Sequence, residues 1–248
     1  MSEKHFYEQK KHTKNYLIPY FQKNIPNFRK MKVLEIGCAE GGFLEELQIL
    51  GMDVMGIEIE QNRVDIANEK NPALKIICGD ITDKFVSEKI GQKFDFIVMR
   101  DTIEHIPDRI STFENIAQLL NKGGYLYVTF PPRFSGFAGH QQNCRSILKF
   151  IPYIHLLPNI IIRLLGKILK EHPDRINNII IHMYNIGLSI NAFEKYYKSY
   201  NFKPKVKELF LSRPVYKVRF GARIIKVPNI PFFREIFAFG CEYLLVKD

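Results

Sequence analysis

The stretch VLEIGCAEGGF, Val33 to Phe43, decides the fold of the chain. It begins with a short apolar run, passes through three glycines, Gly37, Gly41 and Gly42, and leads into a segment with helical character. Glycine lets the backbone turn sharply and approach a ligand closely because it has no Cβ atom. The stretch therefore predicts a buried strand, a turn and a helix that together form a cradle for a nucleotide-type cofactor.

Glu35 is the unexpected residue of this strand. A buried carboxylate is costly unless a partner satisfies it, so we expect Glu35 to face a cationic or donor-rich ligand rather than the core. A nicotinamide dinucleotide would favour the spacing G-x-G-x-x-G, whereas here Gly37-x-Ala39-x-Gly41 follows an acid. The pattern therefore favours a different nucleotide-type cofactor.

Two later apolar runs also end in acids. DVMGIEIE, Asp53 to Glu60, predicts a second strand, and Glu58 lies 21 residues after Gly37, where a carboxylate can bind two ribose hydroxyls. Glu60 is the weaker alternative. KIICGD, Lys75 to Asp80, predicts a third strand, and Asp80 either lies beside the base of the cofactor or caps the next turn.

The order of these segments, from about residue 30 to residue 132, resembles that of the class I S-adenosylmethionine (SAM) methyltransferases. In that family, motif I is a glycine turn that follows an acidic residue. The resemblance implies SAM as the cofactor. It assigns to the cofactor site Glu35, Gly37, Cys38, Ala39, Gly41, Glu58, Ile59, Asp80, Ile81, Arg100 and Asp101.

The alternation of short apolar strands with helical stretches predicts an α/β fold with a doubly wound, Rossmann-like sheet. The resemblance implies seven strands, mostly parallel, with the last strand antiparallel between strands five and six. We expect a single domain of residues 1–248 that begins with helices broken at Pro19 and Pro26. Its parts are an N-terminal helical cap (1–30), a cofactor-binding core (31–132), a substrate loop and helical lid inserted after strand five (133–185), and a closing helix and strands (186–248).

The fourth predicted strand ends in RDTIEHIPD, residues 100–108, and ligands of open α/β sheets bind at such carboxyl ends. Glu104 is therefore a candidate substrate-binding residue. The Glu104-His105 pair resembles the segment of small-molecule methyltransferases, including those that modify quinones and sugars. His105 can act as a base near neutral pH or can hold its loop by hydrogen bonds. Pro131-Pro132 follows strand five, whereas amino-methyltransferases of DNA carry such prolines after strand four, so adenine N6 chemistry is not favoured.

RFSGFAGHQQNCRS, residues 133–146, follows the fifth strand and predicts a substrate loop. His140 is a second candidate base, and Arg133, Gln141 and Arg145 are candidate substrate-binding residues. The alternative is a solvent-exposed loop without a role in binding.

The segment 147–170 is strongly apolar and carries several basic residues. Its longest uncharged run, Phe150 to Ile162, is 13 residues long, which is short of the ~20 residues that span a bilayer. We expect a helical lid packed on the domain, with peripheral membrane contact or a lipid-linked substrate as the bolder interpretation.

The net charge of +10 is unevenly distributed. Residues 133–248 contain 19 Lys and Arg against 7 Asp and Glu, so this half carries all the basic excess. The excess is either a solvated surface or a region that meets an anionic substrate. The four cysteines are far apart and predict neither a zinc site nor disulfides, and no metal is expected. The polar N-terminus lacks the apolar run of a signal peptide, so a cytoplasmic protein is expected.

These features predict a SAM-dependent methyltransferase that acts on an oxygen or nitrogen of a small or lipid-linked acceptor, such as a sugar or a quinone. Two rivals remain open. One is an RNA methyltransferase that uses the basic half, although no appended RNA-binding module is visible and a nucleic acid partner is not favoured. The other is a SAM-binding subunit without catalytic activity. The oligomeric state is not indicated by the sequence.

Overall fold

The computed structural model describes residues 2–248 and is built around one twisted sheet. The strands are β1 (Val33–Ile36), β2 (Val54–Glu58), β3 (Lys75–Cys78), β4 (Phe94–Arg100), β5 (Leu120–Phe130), β6 (Phe202–Ser212), β7 (Ile225–Lys226) and β8 (Gly240–Lys247). The α-helices are α1 (Ser2–His12), α2 (Ile18–Asn24), α3 (Gly42–Ile49), α4 (Gln61–Lys70), α5 (Val86–Ile90), α6 (Arg109–Leu119), α7 (Asn159–Ile168), α8 (Pro173–Arg175), α9 (His182–Ile186), α10 (Ile190–Ser199), α11 (Pro214–Phe220) and α12 (Phe233–Phe237).

The strand order is β3-β2-β1-β4-β5-β8-β6-β7, and β1 to β5 run parallel. The chain crosses over between β1 and β4, so the order reverses there and a crevice opens at the carboxyl ends of these strands. Strand β8 lies antiparallel between β5 and β6, which confirms the predicted position of the last strand. The predicted count of seven strands is wrong, because the connection from β6 to β8 adds a two-residue edge strand, β7, that pairs with the end of β6.

Apolar side chains cover both faces of the sheet. One face packs against the N-terminal helices, with Leu17 and Phe21 buried on Phe96 and Tyr127. The opposite face packs against α6 and α10. The segment inserted between β5 and β6 has a smaller apolar cluster of its own, formed by Cys144, Leu148, Ile154, Ile162, Ile176, Ile180 and Ile181.

The N-terminal helices form one continuous helical run from Ser2 to Asn24, so the expected break at Pro19 is wrong. A π-helical segment, Thr13–Leu17, joins α1 to α2, and the amide of Ile18 donates to the carbonyl of Thr13. Proline lacks an amide donor and normally interrupts the hydrogen-bond ladder. Here Pro19 lies in the first turn of α2. The hydrogen bonds change from the π-helical to the α-helical pattern at this point, so a backbone amide donor is not required of residue 19.

Candidate active site

A cavity of about 540 Å³ lies at the carboxyl edge of the sheet, beneath α1 and α11. Its wall runs from β3 across β2, β1, β4 and β5 to β8 and β6, so it has two halves. The half at β1 to β3 contains the residues that resemble a SAM site. The second half, at β5, β8, β6 and α11, is called the acceptor half below. It is lined by His12, Tyr127, Thr129, Phe210, Arg213, Pro214, Val215, Arg219, Cys241 and Glu242.

The glycine turn lies on the cavity wall and has an unusual backbone. Gly37 has φ +71°, and a Cβ atom placed on it would lie 2.5 Å from Oγ1 of Thr102. Ala39 has φ +49°, a conformation that glycine adopts more easily. Gly41, with φ +77°, caps α3 but packs against side chains of β3 and its neighbouring turn, away from the cavity wall. The turn is therefore fixed by contacts within the protein and places Gly37 and Ala39 on the cavity wall.

Glu58 stands at the end of β2 and lines the cavity. Its Oε2 accepts from the amide of Ala39 at 2.8 Å, and its Oε1 accepts from the amide of Glu60 at 3.1 Å. Each oxygen keeps a second lone pair for a ligand. Ile59, Asp80 and Ile81 also line the cavity, as does Glu60, which pairs with Arg63. The predicted ribose site is thus assembled, and its role in binding SAM stays a prediction.

We expect Glu58→Ala to weaken the binding of SAM and of its demethylated product, S-adenosylhomocysteine (SAH), by about 1 to 3 kcal/mol. Two ribose hydroxyls would lose a charged acceptor, and the amide of Ala39 would lose its partner. Isothermal calorimetry with SAH measures the change. Glu60→Ala is the matched control, since Glu60 lines the same cavity but leaves the amide of Ala39 untouched. A loss in Glu60→Ala with no change in Glu58→Ala would mean that Glu60 holds the ribose.

Glu35 is fully buried and forms an ion pair with Arg100. Nε and Nη2 of Arg100 donate to Oε1 of Glu35 at 2.9 and 2.5 Å, whereas Oε2 has no hydrogen-bond partner among the described residues. Burial raises the pKa of Glu35 to about 7, against the opposite effect of Arg100. The cation that Glu35 faces thus comes from the chain itself, and one oxygen remains available for a donor. Cys38 lies in the apolar core beside Gly56 and does not reach the cavity wall.

Ion pairs and hydrogen bonds hold the roof of the cavity in place. Arg219 on α11 pairs with Glu8 on α1 at 3.0 Å, and His5 on α1 lies 2.6 Å from Glu40 of the glycine turn. The amide of Gly42 donates to the side chain of Gln9 at 3.1 Å. The aromatic residues of the N-terminal helices pack mainly on the sheet, so polar rather than aromatic side chains of α1 face the cavity. Nothing in the sequence pattern indicated these polar residues.

Asp101 and Arg213 form a second ion pair at the acceptor half. Nη2 of Arg213 donates to Oδ1 of Asp101 at 2.5 Å, and Thr129 donates to the same oxygen at 3.3 Å. Asp101 has φ +51°, which directs its backbone around the end of β4. Asp101 and Arg100 therefore stand between the two halves of the cavity, and their predicted role in binding the cofactor stays a prediction. Arg213 is a neighbour that the sequence did not reveal.

Glu104, His105 and His140 lie together beside the cavity. Their ligand atoms lie within 4.8 Å of one another, and the rings of the two histidines are 5.0 Å apart. Such a group of donors could hold a metal ion, although the sequence suggested none. Glu104 is buried with both oxygens unpartnered among the described residues, and burial raises its pKa well above the ordinary value. Burial lowers the pKa of His105 and lowers that of His140 to about 4, so both rings are neutral at pH 7.

Of the two candidate bases, only His105 lines the cavity among the described residues. His140 lies behind it, in the inserted segment. The structure also leaves Arg133, Gln141 and Arg145 away from the cavity wall. Arg133 stacks on Tyr184, Gln141 is buried and donates to the carbonyls of Gly136 and Ile151, and the amide of Arg145 donates to Glu171.

The inserted segment is helical but does not form part of the cavity. Among residues 2–248, none between 133 and 185 lines its wall. The segment packs on its own apolar cluster instead. Closure of this segment over the substrate therefore stays a prediction, and the roof in this structure is formed by α1 and α11.

The residues present fit SAM. Gly37 and Ala39 lie on the cavity wall, and Glu58 presents a carboxylate suited to ribose hydroxyls, whereas Glu35 is fully buried and does not line the wall. These groups would bind and orient the cofactor in the half at β1 to β3. Arg100 and Asp101 line the same cavity between this half and the acceptor half, and the cofactor would supply a transferable methyl group.

Comparison with known proteins agrees with this geometry. A family described as "Methyltransferase domain" matches residues 8–160. A ubiquinone biosynthesis O-methyltransferase of Histophilus somni is 28% identical over 142 residues, covering 54% of this chain and 60% of that protein. Another, from Coxiella burnetii, is 33% identical over 101 residues, covering 38% and 41%. The chain thus spans about half the length of these curated relatives.

Solved structures share the fold. A SAM-dependent methyltransferase from Clostridium acetobutylicum superposes with a TM-score of 0.60 at 14% identity, over 96% of this chain and 91% of that one. Since the family match covers more than half of the sequence, the chain belongs to the methyltransferase domain family, within the SAM-dependent class I group. Within residues 2–248, no helix has both the length and the apolar character needed to cross a membrane.

Proposed function

We propose that the protein transfers a methyl group from SAM to a hydroxyl oxygen of a small, lipid-linked acceptor of quinone type. One observation carries the proposal: a single cavity joins the SAM-like half of the site to a polar acceptor half. The named activity of the ubiquinone O-methyltransferase relatives supports oxygen as the atom and a quinone-type ring as the acceptor.

SAM supplies a methyl group that already carries a good leaving group. The chain must therefore hold the acceptor in line, exclude water and remove one proton. The helices α1 and α11 both line the cavity and are joined by the Arg219–Glu8 ion pair, so they would limit the access of water to a bound acceptor. His105, neutral at pH 7 and on the wall, is the residue we assign to accept the proton of the hydroxyl.

The exposed face of α7 supports a lipid-linked acceptor. Ile160 is 77% exposed, and Leu164 and Ile168 are also exposed. Basic residues accompany this apolar face on the helix and beside it, namely Lys149, Arg163, Lys167 and Lys170. An exposed apolar stripe with basic residues is typical of helices that lie at the surface of an anionic membrane. Contact with phospholipid would bring the enzyme to an acceptor that carries a lipid tail.

We expect the double substitution Ile160→Ser and Leu164→Ser to abolish most sedimentation of the protein with vesicles of phosphatidylglycerol and phosphatidylcholine. The substitutions remove the two apolar side chains that would enter the interface, while SAH binding stays unchanged. Ile49→Ser is the matched control, because Ile49 is also highly exposed but lies on α3. Equal sedimentation of all three proteins would contradict the membrane contact.

A transfer assay tests the proposed function. Calorimetry first measures SAH binding, and labelled SAM is then offered with prenylated catechols, with sugars, with amines and with RNA, with and without Mg²⁺. We expect label in a catechol oxygen, and we expect His105→Ala to slow transfer while leaving SAH affinity unchanged. Label in RNA would favour the RNA methyltransferase alternative. Tight SAH binding without transfer to any acceptor would favour a non-catalytic subunit.

A further inference from the structure

The acceptor half of the cavity contains a buried acid, Glu242, that the sequence patterns did not single out. Glu242 lies on β8 directly opposite Thr129 of β5 and Glu208 of β6. It is 3% exposed, and its side chain forms part of the cavity wall. The acid is therefore placed where an acceptor would meet the sheet.

Glu242 has only hydroxyl groups as hydrogen-bond partners, and it forms no ion pair among the described residues. Oη of Tyr16 lies 3.1 Å from each carboxylate oxygen. A tyrosine hydroxyl has one hydrogen, so it can satisfy one of these contacts at a time. Glu194, by contrast, accepts hydrogen bonds from Lys207, Arg234 and Tyr243. Glu194 thus has cationic partners, whereas Glu242 has only the hydroxyls of Tyr16, Tyr20 and Tyr127 around it. A carboxylate offers about four acceptor sites, so Glu242 keeps capacity for a further donor at the cavity wall that it lines.

Among the described residues no cation forms an ion pair with Glu242, since Arg213 and Arg219 of the acceptor half pair with Asp101 and Glu8 instead. Burial raises the pKa values of Tyr16, Tyr20 and Tyr127, so these hydroxyls stay protonated. Burial lowers the pKa of His12, which stacks on Tyr16, to about 3, so its ring is neutral. The carboxylate of Glu208 on the neighbouring strand, which pairs with Lys226, raises the pKa of Glu242 further. A ligand that donates hydrogen bonds would stabilise the buried carboxylate of Glu242, whereas a ligand that carries a carboxylate would be repelled by it.

The backbone that presents Tyr16 is itself unusual. Tyr16 lies in the π-helical segment Thr13–Leu17, and the hydroxyl of Thr13 donates to the carbonyl of Gln9 in the preceding turn. Short π-helical segments occur often at functional sites, because the added residue redirects side chains. Here the segment lies at the place where Tyr16 reaches Glu242.

We propose that Glu242, with Tyr16 and Tyr127 beside it, recognises the acceptor by accepting a hydrogen bond from a donor group of the acceptor and excludes carboxylates. This inference rests on the proposed methyl transfer and specifies its acceptor. A phenolic hydroxyl and an ammonium group share the required chemistry. The remaining lone pairs of Glu242 provide the contact, and the neutral hydroxyls of Tyr16 and Tyr127 line its sides.

Binding of model acceptors to the protein with SAH tests this inference. The probes are catechol, 1,2-dimethoxybenzene, which lacks donors, benzylamine, which offers an ammonium, and benzoate. We expect wild type to prefer catechol or benzylamine over 1,2-dimethoxybenzene by about 10-fold or more, and to reject benzoate. Glu242→Gln should lose most of the preference. Glu208→Gln, which changes the neighbouring acid outside the cavity wall, should keep it. Whichever of catechol and benzylamine binds more tightly identifies the donor.

Infrared titration of the wild-type protein gives a second, spectroscopic measurement. The carboxylic acid band of Glu242, assigned by its loss in Glu242→Gln, should titrate near pH 7, and catechol should lower that midpoint by stabilising the carboxylate. An unchanged midpoint together with an unchanged probe preference in Glu242→Gln would overturn the inference. Failure of SAH to bind at all would instead contradict the proposed function, so the two failures are distinguishable.

Discussion

Replacing Gly37 with alanine is expected to destabilise the protein by about 2 to 5 kcal/mol and to remove measurable SAH binding. Part of the loss arises because the φ of +71° is strained for any residue with a Cβ atom. The larger part arises because the new methyl group would lie 2.5 Å from Oγ1 and 2.6 Å from Cγ2 of Thr102, so the turn must move away from its place on the cavity wall. Urea unfolding and SAH calorimetry measure the two effects.

Gly51 provides the matched control for this substitution. It has φ +77°, and nothing lies within 4 Å of a Cβ atom placed on it. Gly51→Ala should therefore show only the backbone strain, about 1 to 2 kcal/mol, with normal SAH binding. The double variant Gly37→Ala with Thr102→Ala should regain part of the stability, since it removes both atoms of closest approach. If Gly37→Ala were no more harmful than Gly51→Ala, the contact with Thr102 would not limit the turn.

The cofactor half of the site could be predicted because its signals are local in the sequence. An apolar strand, a glycine turn and an acid at the end of the next strand follow one another, and parallel strands bring their carboxyl ends to one edge. Glu58, Ala39 and Asp80 consequently line one cavity. The sequence alone could not show why residue 37 must be glycine. Thr102, whose side chain would clash with a Cβ atom at this position, is 65 residues away in the sequence.

The acceptor half could not be predicted from local patterns. His12, Arg213 and Glu242 come from α1, from the position just before α11 and from β8, which are distant in the sequence, and only the packing of these elements brings them together. The loop after β5, by contrast, had the polar composition of a substrate loop. Gln141 is nevertheless buried and satisfies the loop's own carbonyls, a role that composition alone cannot distinguish from ligand binding.

The stability of the protein should depend on pH through Glu242. Burial raises its pKa in the folded state from 4.5 to about 7. Below pH 4.5 the group is protonated in both the folded and unfolded states, so it has no effect on their balance. As the pH rises towards 7, this carboxyl group loses its proton in the unfolded chain before it does so in the folded protein. The protein therefore loses stability, and the loss reaches its full value above pH 7. At 1.36 kcal/mol for each pKa unit, this cost is about 2 to 4 kcal/mol.

We therefore expect Glu242→Gln to be more stable than wild type at pH 8 by about 2 to 4 kcal/mol, and to differ little at pH 4. Urea unfolding at the two pH values measures the difference. Glu208→Gln is the control, because Glu208 is only partly buried and pairs with Lys226 at 2.6 Å, so its removal should give no such gain at pH 8. Equal stability of wild type and Glu242→Gln at pH 8 would show that other groups compensate for the buried charge. A gain would mean that the fold retains an acid at a cost in stability, which is expected where an acid serves binding rather than folding.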